Sequence, residues 1–355
     1  MILRKFGIDT VTVALDLPQA LPLGDEGYRR ELVQLGWTVA DTLMPSDSGP
    51  LESRTARWQD PENDTLRTAV MNAGRTIRAE FSVPRMLTRS VMNTRLGSAA
   101  ETLAVVDHLL PARLRTMLPE FSSVEAVRFR RLDMAADIEA GAAYTGLISA
   151  GSSFQIPRAR KVARNTFPGE TSRVTSSQLT VRTYDKAREL ENKTRSVMNA
   201  LNDAQRGAVM DEIKAYKEAG VARLEIAASP KKDPLTREDL GAANLRWADL
   251  VQQGYGFDGD QGGVLYIGGL SKIRAEIDGR AGLSSQARSA LLAFAVRYAE
   301  LGEDGMQAAM TRATYYRQKR RFLDAGLRLD DVTTFHGELD FNPVLEAVRG
   351  AWKVS

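Results

Sequence analysis

The chain has 355 residues, 43% of them hydrophobic, and its 48 basic and 45 acidic side chains leave a formal charge of only +3. This is globular composition, enough for two domains or one large α+β unit, and the net charge alone does not mark a nucleic-acid binder. With no cysteine, disulfides, thiol nucleophiles and cysteine-ligated metal centres are excluded. The longest apolar run, residues 290–296, is far below the roughly 18 residues of a membrane span, and Asp9 interrupts any apolar leader after Arg4 and Lys5. A cytoplasmic protein with no membrane partner is expected.

Residues 6–17 alternate as a strand, with Asp9, Val11, Val13 and Leu15 on one face. Residues 45–65 have the Pro, Ser, Asp and Asn content of a loop. A second strand, residues 78–83, ends at Pro84, and residues 98–117 have helical spacing with a kink or break at Pro111. Residues 126–138 and 142–149 read as two strands joined by a turn at Ala140 and Gly141. Arg158, Arg160, Lys161 and Arg164 then form a basic segment. Residues 178–185 alternate again, Lys186 opens a helix, residues 203–218 are an amphipathic helix, and residues 221–228 are the last strong strand.

Thereafter the pattern is helical, over 234–252, 284–300 and 303–325, with a hairpin expected at 264–267 inside a glycine-rich stretch. The expected fold is α+β: an antiparallel-sheet domain over 1–230 followed by a mainly helical domain over 231–355. One faint echo runs through the chain. RAEFSVPRMLTR (78–89) and RLEIAASPKKDPLTR (223–237) each place Glu in a strand, then Pro, then Leu-Thr-Arg. Chance accounts for so short a match, and so does a duplication that makes Glu80 and Glu225 equivalent.

No P-loop, GxSxG or HExxH segment occurs, and His108 and His336 are too far apart in sequence for a paired-histidine motif. Carboxylates, tyrosines and arginines remain. Arg131, Asp133, Ala135 and Asp137 share one strand face. That face is either a solvated edge or a site. Asp133 and Asp137 are i and i+4 on a strand, about 13 Å apart, so one ion cannot take both without a partner from another strand. Glu225, sharing a face with Arg223, is that partner, and the set forms an all-oxygen site suited to Mg²⁺ or Mn²⁺. In the third strand Arg182, Tyr184 and Lys186 alternate onto one side. A tyrosine nucleophile needs a nearby cation or metal to stabilise its phenolate, and Arg182 and Lys186 are placed to supply it.

The sequence of blocks GIDTVTVALDLP, EFSVPRML with Asn93 after it, RRLDMAAD, TVRTYDKARELE, VARLEIAAS and YYRQKRRFLDAGLRLDDV resembles the gene II/X family of filamentous-phage replication initiators nearly end to end. The middle three also resemble the rolling-circle initiators of small plasmids, with their R-x-D strand, Y-[DN]-K-x-x-E segment and R-x-E strand. The resemblance implies a site-specific, metal-dependent nicking–closing endonuclease that opens one strand of supercoiled DNA at a replication origin. A tyrosine would keep the 5′-phosphate and release a 3′-OH primer. It makes Tyr184 the nucleophile, with Tyr144 in reserve, Lys186 its stabilising cation, and Asp133 and Glu225 the metal ligands; Asp137 matches only the plasmid relatives. The paired histidines of other initiators are absent.

Without a P-loop, unwinding and extension fall to a host helicase and DNA polymerase. The 1–230 domain would nick and the 231–355 domain would bind DNA. There Arg312, Arg317, Lys319, Arg320 and Arg321 interleave with Tyr315, Tyr316 and Phe322, a pattern of phosphate contact or of a solvated basic face. The alternatives are a non-catalytic DNA-binding replication factor or repressor, and a metal-dependent nuclease that activates water.

Overall fold

A computed structural model describes residues 1–44, 51–60, 66–88, 95–157, 159, 161–167, 171–197, 202–230, 233–257, 263–267, 273, 276–277, 280, 282–329, 332 and 337–351. Arg158, Arg160, Asn93, His336 and residues 45–50 and 61–65 lie outside them. Ten strands form one antiparallel sheet: β1 (Ile2–Asp16), β2 (Thr38–Met44), β3 (Leu51–Gln59), β4 (Leu66–Met71), β5 (Thr76–Ser82), β6 (Ala126–Glu139), β7 (Ala163–Phe167), β8 (Thr171–Thr175), β9 (Leu179–Asp185) and β10 (Val221–Ala228). Their order is β2-β3-β4-β5-β1-β6-β10-β9-β8-β7. The α+β class expected from the sequence is the one found.

Period-two alternation sorts the central strands into two faces. Val11, Val13, Leu15, Phe81, Leu132, Met134, Ile138, Leu224 and Ile226 join one buried cluster. Covering that face are α1 (Glu26–Gln34), the short α2 (Val83–Thr88), α3 (Ala99–Ala104), α4 (Leu110–Met117) and α5 (Tyr144–Ala150). The other face is polar. Above one end of it lie α6 (Lys186–Val197) and α7 (Asp203–Ala219), anchored by a small cluster of Ala187, Leu190, Ile213, Tyr216 and Val221.

Several expectations are corrected. Residues 51–59 are strand, because β2 and β4 satisfy both edges of β3. Residues 144–150 are helix: β6 already pairs with β1 and β10, so no edge is left for a hairpin partner. Pro111 does not break its helix; a π-helical turn at Val105–Leu109 precedes it and relieves the clash a proline makes with the preceding turn. A β-bulge between Ile8 and Thr10 changes the phase of β1, so Ile8 and Val11 both face the core. Asp9 therefore does not share a face with Val11 but turns with Thr10 to the polar side.

The division at residue 230 also moves. Following β10 are α8 (Arg237–Gly241) and α9 (Ala243–Tyr255), and near the end of the described chain is α12 (Asn342–Gly350); Leu240, Trp247, Val251, Val344 and Val348 belong to the sheet's core. A separate core holds α10 (Ser285–Ala309) and α11 (Arg312–Asp324), with Phe294, Tyr315 and Phe322 buried in it. The strand expected at 264–267 forms as β11 (Val264–Ile267), but it pairs with the distant β12 (Gly337–Asp340), not with a hairpin neighbour.

The strand order carries a repeat. From the centre outward the first half reads β1-β5-β4-β3-β2 and the second β6-β10-β9-β8-β7, the same connectivity twice. Each first strand also makes an isolated bridge to the segment following the last strand, Ile8 to Gly97 and Phe129 to Leu235. In each case the next residue, Ser98 or Thr236, opens a helix with a reciprocal capping box. The Glu80 and Glu225 echo falls on equivalent strands, β5 and β10.

At the first bridge the backbones nearly touch: a Cβ on Gly7 would lie 2.5 Å from the Gly97 carbonyl oxygen, which backbone hydrogen bonds with Ile8 hold in place. Gly7→Ala is expected to cost about 1–3 kcal/mol in urea unfolding, and an unchanged midpoint would show that the bridge yields freely.

Candidate active site

The polar face holds a cavity of about 750 Å³, lined by Asp9 and Thr10 of β1, Arg67 of β4, Glu80 of β5, Arg131 and Asp133 of β6, Arg182 and Tyr184 of β9 and Glu225 of β10, with Arg85, Arg188, Glu189, Asn192 and Lys193 at its walls. With Asp185 of β9, five strands and α6 thus bring six carboxylates to its lining. Asp133 and Glu225 are buried, and each has a guanidinium partner. Arg131 grips Asp133 through two hydrogen bonds of 2.7 and 2.6 Å, and its remaining nitrogen lies 3.7 Å from Glu80. Arg182 donates to Glu225 Oε1 at 3.4 Å, and the Tyr184 hydroxyl donates to Glu225 Oε2, also at 3.4 Å.

Charge decides the protonation states. Burial, then the Glu225 charge, raise the Asp133 carboxyl to about 7 against the pull of Arg131. Glu225 is raised by burial and by Asp9, with Arg182, Arg223 and Arg131 opposing. Tyr184 is held as a neutral phenol by burial and by Glu225, Glu189 and Asp9, while Arg223 pulls the other way. A base of raised proton affinity therefore accepts from a half-buried phenol with a guanidinium beside it, the arrangement of a nucleophile and its proton acceptor.

The structure brings together Tyr184, Glu225, Asp133 and Arg182 and separates the other expected residues from them. Asp137 is occupied by other partners: Arg223, itself fully buried, binds it at 2.5 and 2.9 Å, and Tyr216 donates to it at 3.0 Å. Although burial raises Asp137, the Arg223 charge and these bonds bring it below the usual carboxylate range. Lys186 does not line the cavity: its fully buried ammonium donates at 2.6 Å to Glu189 of the cavity wall, and Glu189, raised by burial but flanked by Lys186 and Lys193, falls to about 2. The cation directly opposite Tyr184 in the β9–β10 ladder is Arg223. Tyr144, the reserve nucleophile, packs against the hydrophobic core on the other face.

In α11, Arg317 and Arg321 are exposed, whereas Lys319 is bound to Glu303 at 2.8 Å and Arg320 lies 3.8 Å from Asp324. Tyr315 and Phe322 are core residues. Packing thus explains two of the three aromatic residues that had marked this helix; Tyr316 alone stays exposed, under Arg312.

Sequence reasoning missed Asp9, Glu80 and Arg67 as members of the cavity lining and Arg223 as the cation opposite Tyr184. Glu80 and Arg223 were signalled by the echo; the bulge that delivers Asp9 has no local signature. Among the described residues no three carboxylate or imidazole groups are close enough to enclose a metal. A divalent ion would meet Asp133 and Glu225 and complete its shell with water and phosphate oxygens, the usual manner of Mg²⁺. The raised Asp133 and Glu225 carboxyls, each feeling another acid, fit such a cation. Compared with known proteins, the chain matches no family model and has no significant match among curated proteins.

Two kinds of acid follow. Asp137→Ala strands a buried Arg223 and should cost about 3–5 kcal/mol, measured in urea. Asp133, raised from 3.8 to about 7, contributes stability that is complete below pH 4 and lost as pH rises through 7. In metal-free buffer the Tm of Asp133→Asn relative to wild type should therefore increase from pH 5 to pH 8.5; a flat or falling difference would contradict the charge balance described.

Proposed function

We propose that the chain is a DNA nicking–closing endonuclease that starts rolling-circle replication, with Tyr184 as nucleophile and Glu225 as its proton acceptor. The observation that carries this reading is the Tyr184–Glu225 hydrogen bond inside a cavity where six basic residues, Arg67, Arg85, Arg131, Arg182, Arg188 and Lys193, stand among six acidic ones, cations able to meet the phosphates of a strand.

In the proposed reaction Tyr184 Oη attacks the scissile phosphorus as its proton passes to Glu225. The P–O3′ bond breaks, the 5′-phosphate remains on the tyrosine, and the proton returns to the leaving O3′. One phosphoester replaces another, so no nucleotide hydrolysis is needed. Arg223, opposite the phenol in the ladder, and Arg182, two residues before it on β9, offset the charge that develops. Asp133 and Glu225, with Asp9 beside them, would hold Mg²⁺ or Mn²⁺, which would neutralise charge on the phosphate. The origin duplex would contact Arg317 and Arg321, and a host helicase and polymerase would act on the 3′-OH.

The test uses supercoiled plasmid carrying a filamentous-phage origin, Mg²⁺, and denaturing gels with and without protease. Tyr184→Phe should abolish nicking and the protease-sensitive adduct while leaving duplex binding intact. Glu225→Gln should slow both by about 10²- to 10⁴-fold. Wild-type nicking by the Phe variant overturns the assignment; tight origin binding with no nicking by the wild-type protein makes it a replication factor or repressor.

A second measurement concerns α11. Replacing Arg317 and Arg321 by Gln should flatten the slope of log K against log salt by about 0.9 for each phosphate no longer neutralised, with helix content unchanged by circular dichroism. An unaltered slope would place the duplex elsewhere.

A further inference from the structure

The repeat in the sheet assigns a role to its first half. In the second half Arg182 lies directly opposite Glu225 in the β9–β10 ladder; in the first, Arg67 lies directly opposite Glu80 in the β4–β5 ladder. Each strand sequence continues Arg-Thr, Arg67-Thr68 and Arg182-Thr183, and each pair lines the same cavity from opposite walls. The two pairs differ in tightness. Arg182 is 3.4 Å from its glutamate and about a third exposed, whereas Arg67 stands 3.9 Å from Glu80 with half its side chain in solvent.

The two walls are too far apart for one ligand group. From β4 to β9 the order passes through β5, β1, β6 and β10, five strand spacings or roughly 24 Å between the two backbones. Two arginine side chains leaning inward still leave a gap wider than a phosphate. Between them stands Arg131, which reaches both Asp133 and Glu80, so a line of guanidinium groups crosses the cavity from wall to wall.

We propose that Arg67 forms a second phosphate subsite, holding a phosphodiester of the same nucleic-acid strand several nucleotides from the one presented to Tyr184. This rests on the proposal that the cavity takes a nucleic-acid strand, but not on nicking. The pseudo-symmetric half then serves as a strand guide: it keeps the arginine–glutamate pair and lacks the nucleophile, since Ala69 stands opposite Arg78 where Tyr184 stands opposite Arg223.

Calorimetric titration in EDTA tests it with two probes, a sixteen-residue oligothymidylate and a thymidine dinucleotide with a single phosphodiester. Arg67→Gln should weaken the long strand about tenfold, the effect of removing one charge-assisted hydrogen bond, and the dinucleotide less than twofold. Arg182→Gln should weaken both. Arg115→Gln, an equal change of charge on the covered face of the sheet, should weaken neither. Equal losses on both probes, or none, would overturn the subsite even where Tyr184→Phe abolishes nicking. The predicted length dependence in a protein that does not nick would keep the subsite and remove the nuclease; a wild-type protein that binds neither probe would remove both.

Discussion

Crowding of carboxylates at the centre of a sheet is the constraint on which the site depends. Asp9, Asp133 and Glu225 come from three adjacent strands, and burial makes their mutual repulsion strong enough to lift Asp133 to about 7 despite a two-pronged grip by Arg131. Such a centre is stable only because guanidinium groups are set among the acids, and because one acid, Asp137, is neutralised completely by Arg223. Burial and the same field keep Tyr184 protonated. Stability and reactivity are therefore opposed here: charges that disfavour the folded state at neutral pH are those that give Glu225 its proton affinity.

Comparison of the two half-sheets locates what turns a strand pair into a candidate nucleophile site. Arg78 of β5 is exposed and faces Ala14 and Ala69; its counterpart Arg223 is buried and faces Asp137 and Tyr184. A tight turn joins β4 to β5, whereas the α6–α7 hairpin joins β9 to β10 and brings Tyr216 over Asp137. That hairpin excludes water from one end of the polar face. The first half, without it, stays open and solvated, which suits a surface that holds a strand without reacting with it.

Much of this was legible in the sequence where period-two alternation is uninterrupted. Asp133, Arg182, Tyr184 and Glu225 were assigned to polar faces by parity, and parity held because β6, β9 and β10 have no bulge in these stretches. It failed for Asp9, because a bulge depends on the partner strand and not on residues 6–17 themselves. Residues 142–149 read as a strand, but β6 has both edges occupied and 144–150 are helix. For Lys186 and Asp137, residue type and spacing locate a charge, but whether Glu189 or Arg223 has already claimed it is set by α6 and β10 packing together. The aromatics of α11 marked a hydrophobic core, which the same spacing serves equally well.

In the proposed reaction Tyr184, poised against Glu225, supplies the oxygen of a covalent link to DNA. Mass spectrometry of tryptic peptides, after incubation with nicked or supercoiled origin DNA, Mg²⁺ and exhaustive nuclease digestion, tests it directly. Cleavage after Arg182 and Lys186 releases the four-residue peptide Thr183–Lys186, and this peptide alone should carry a nucleotide phosphate. A nucleotide on another tyrosine, or a nicked plasmid with no modified peptide, would contradict it.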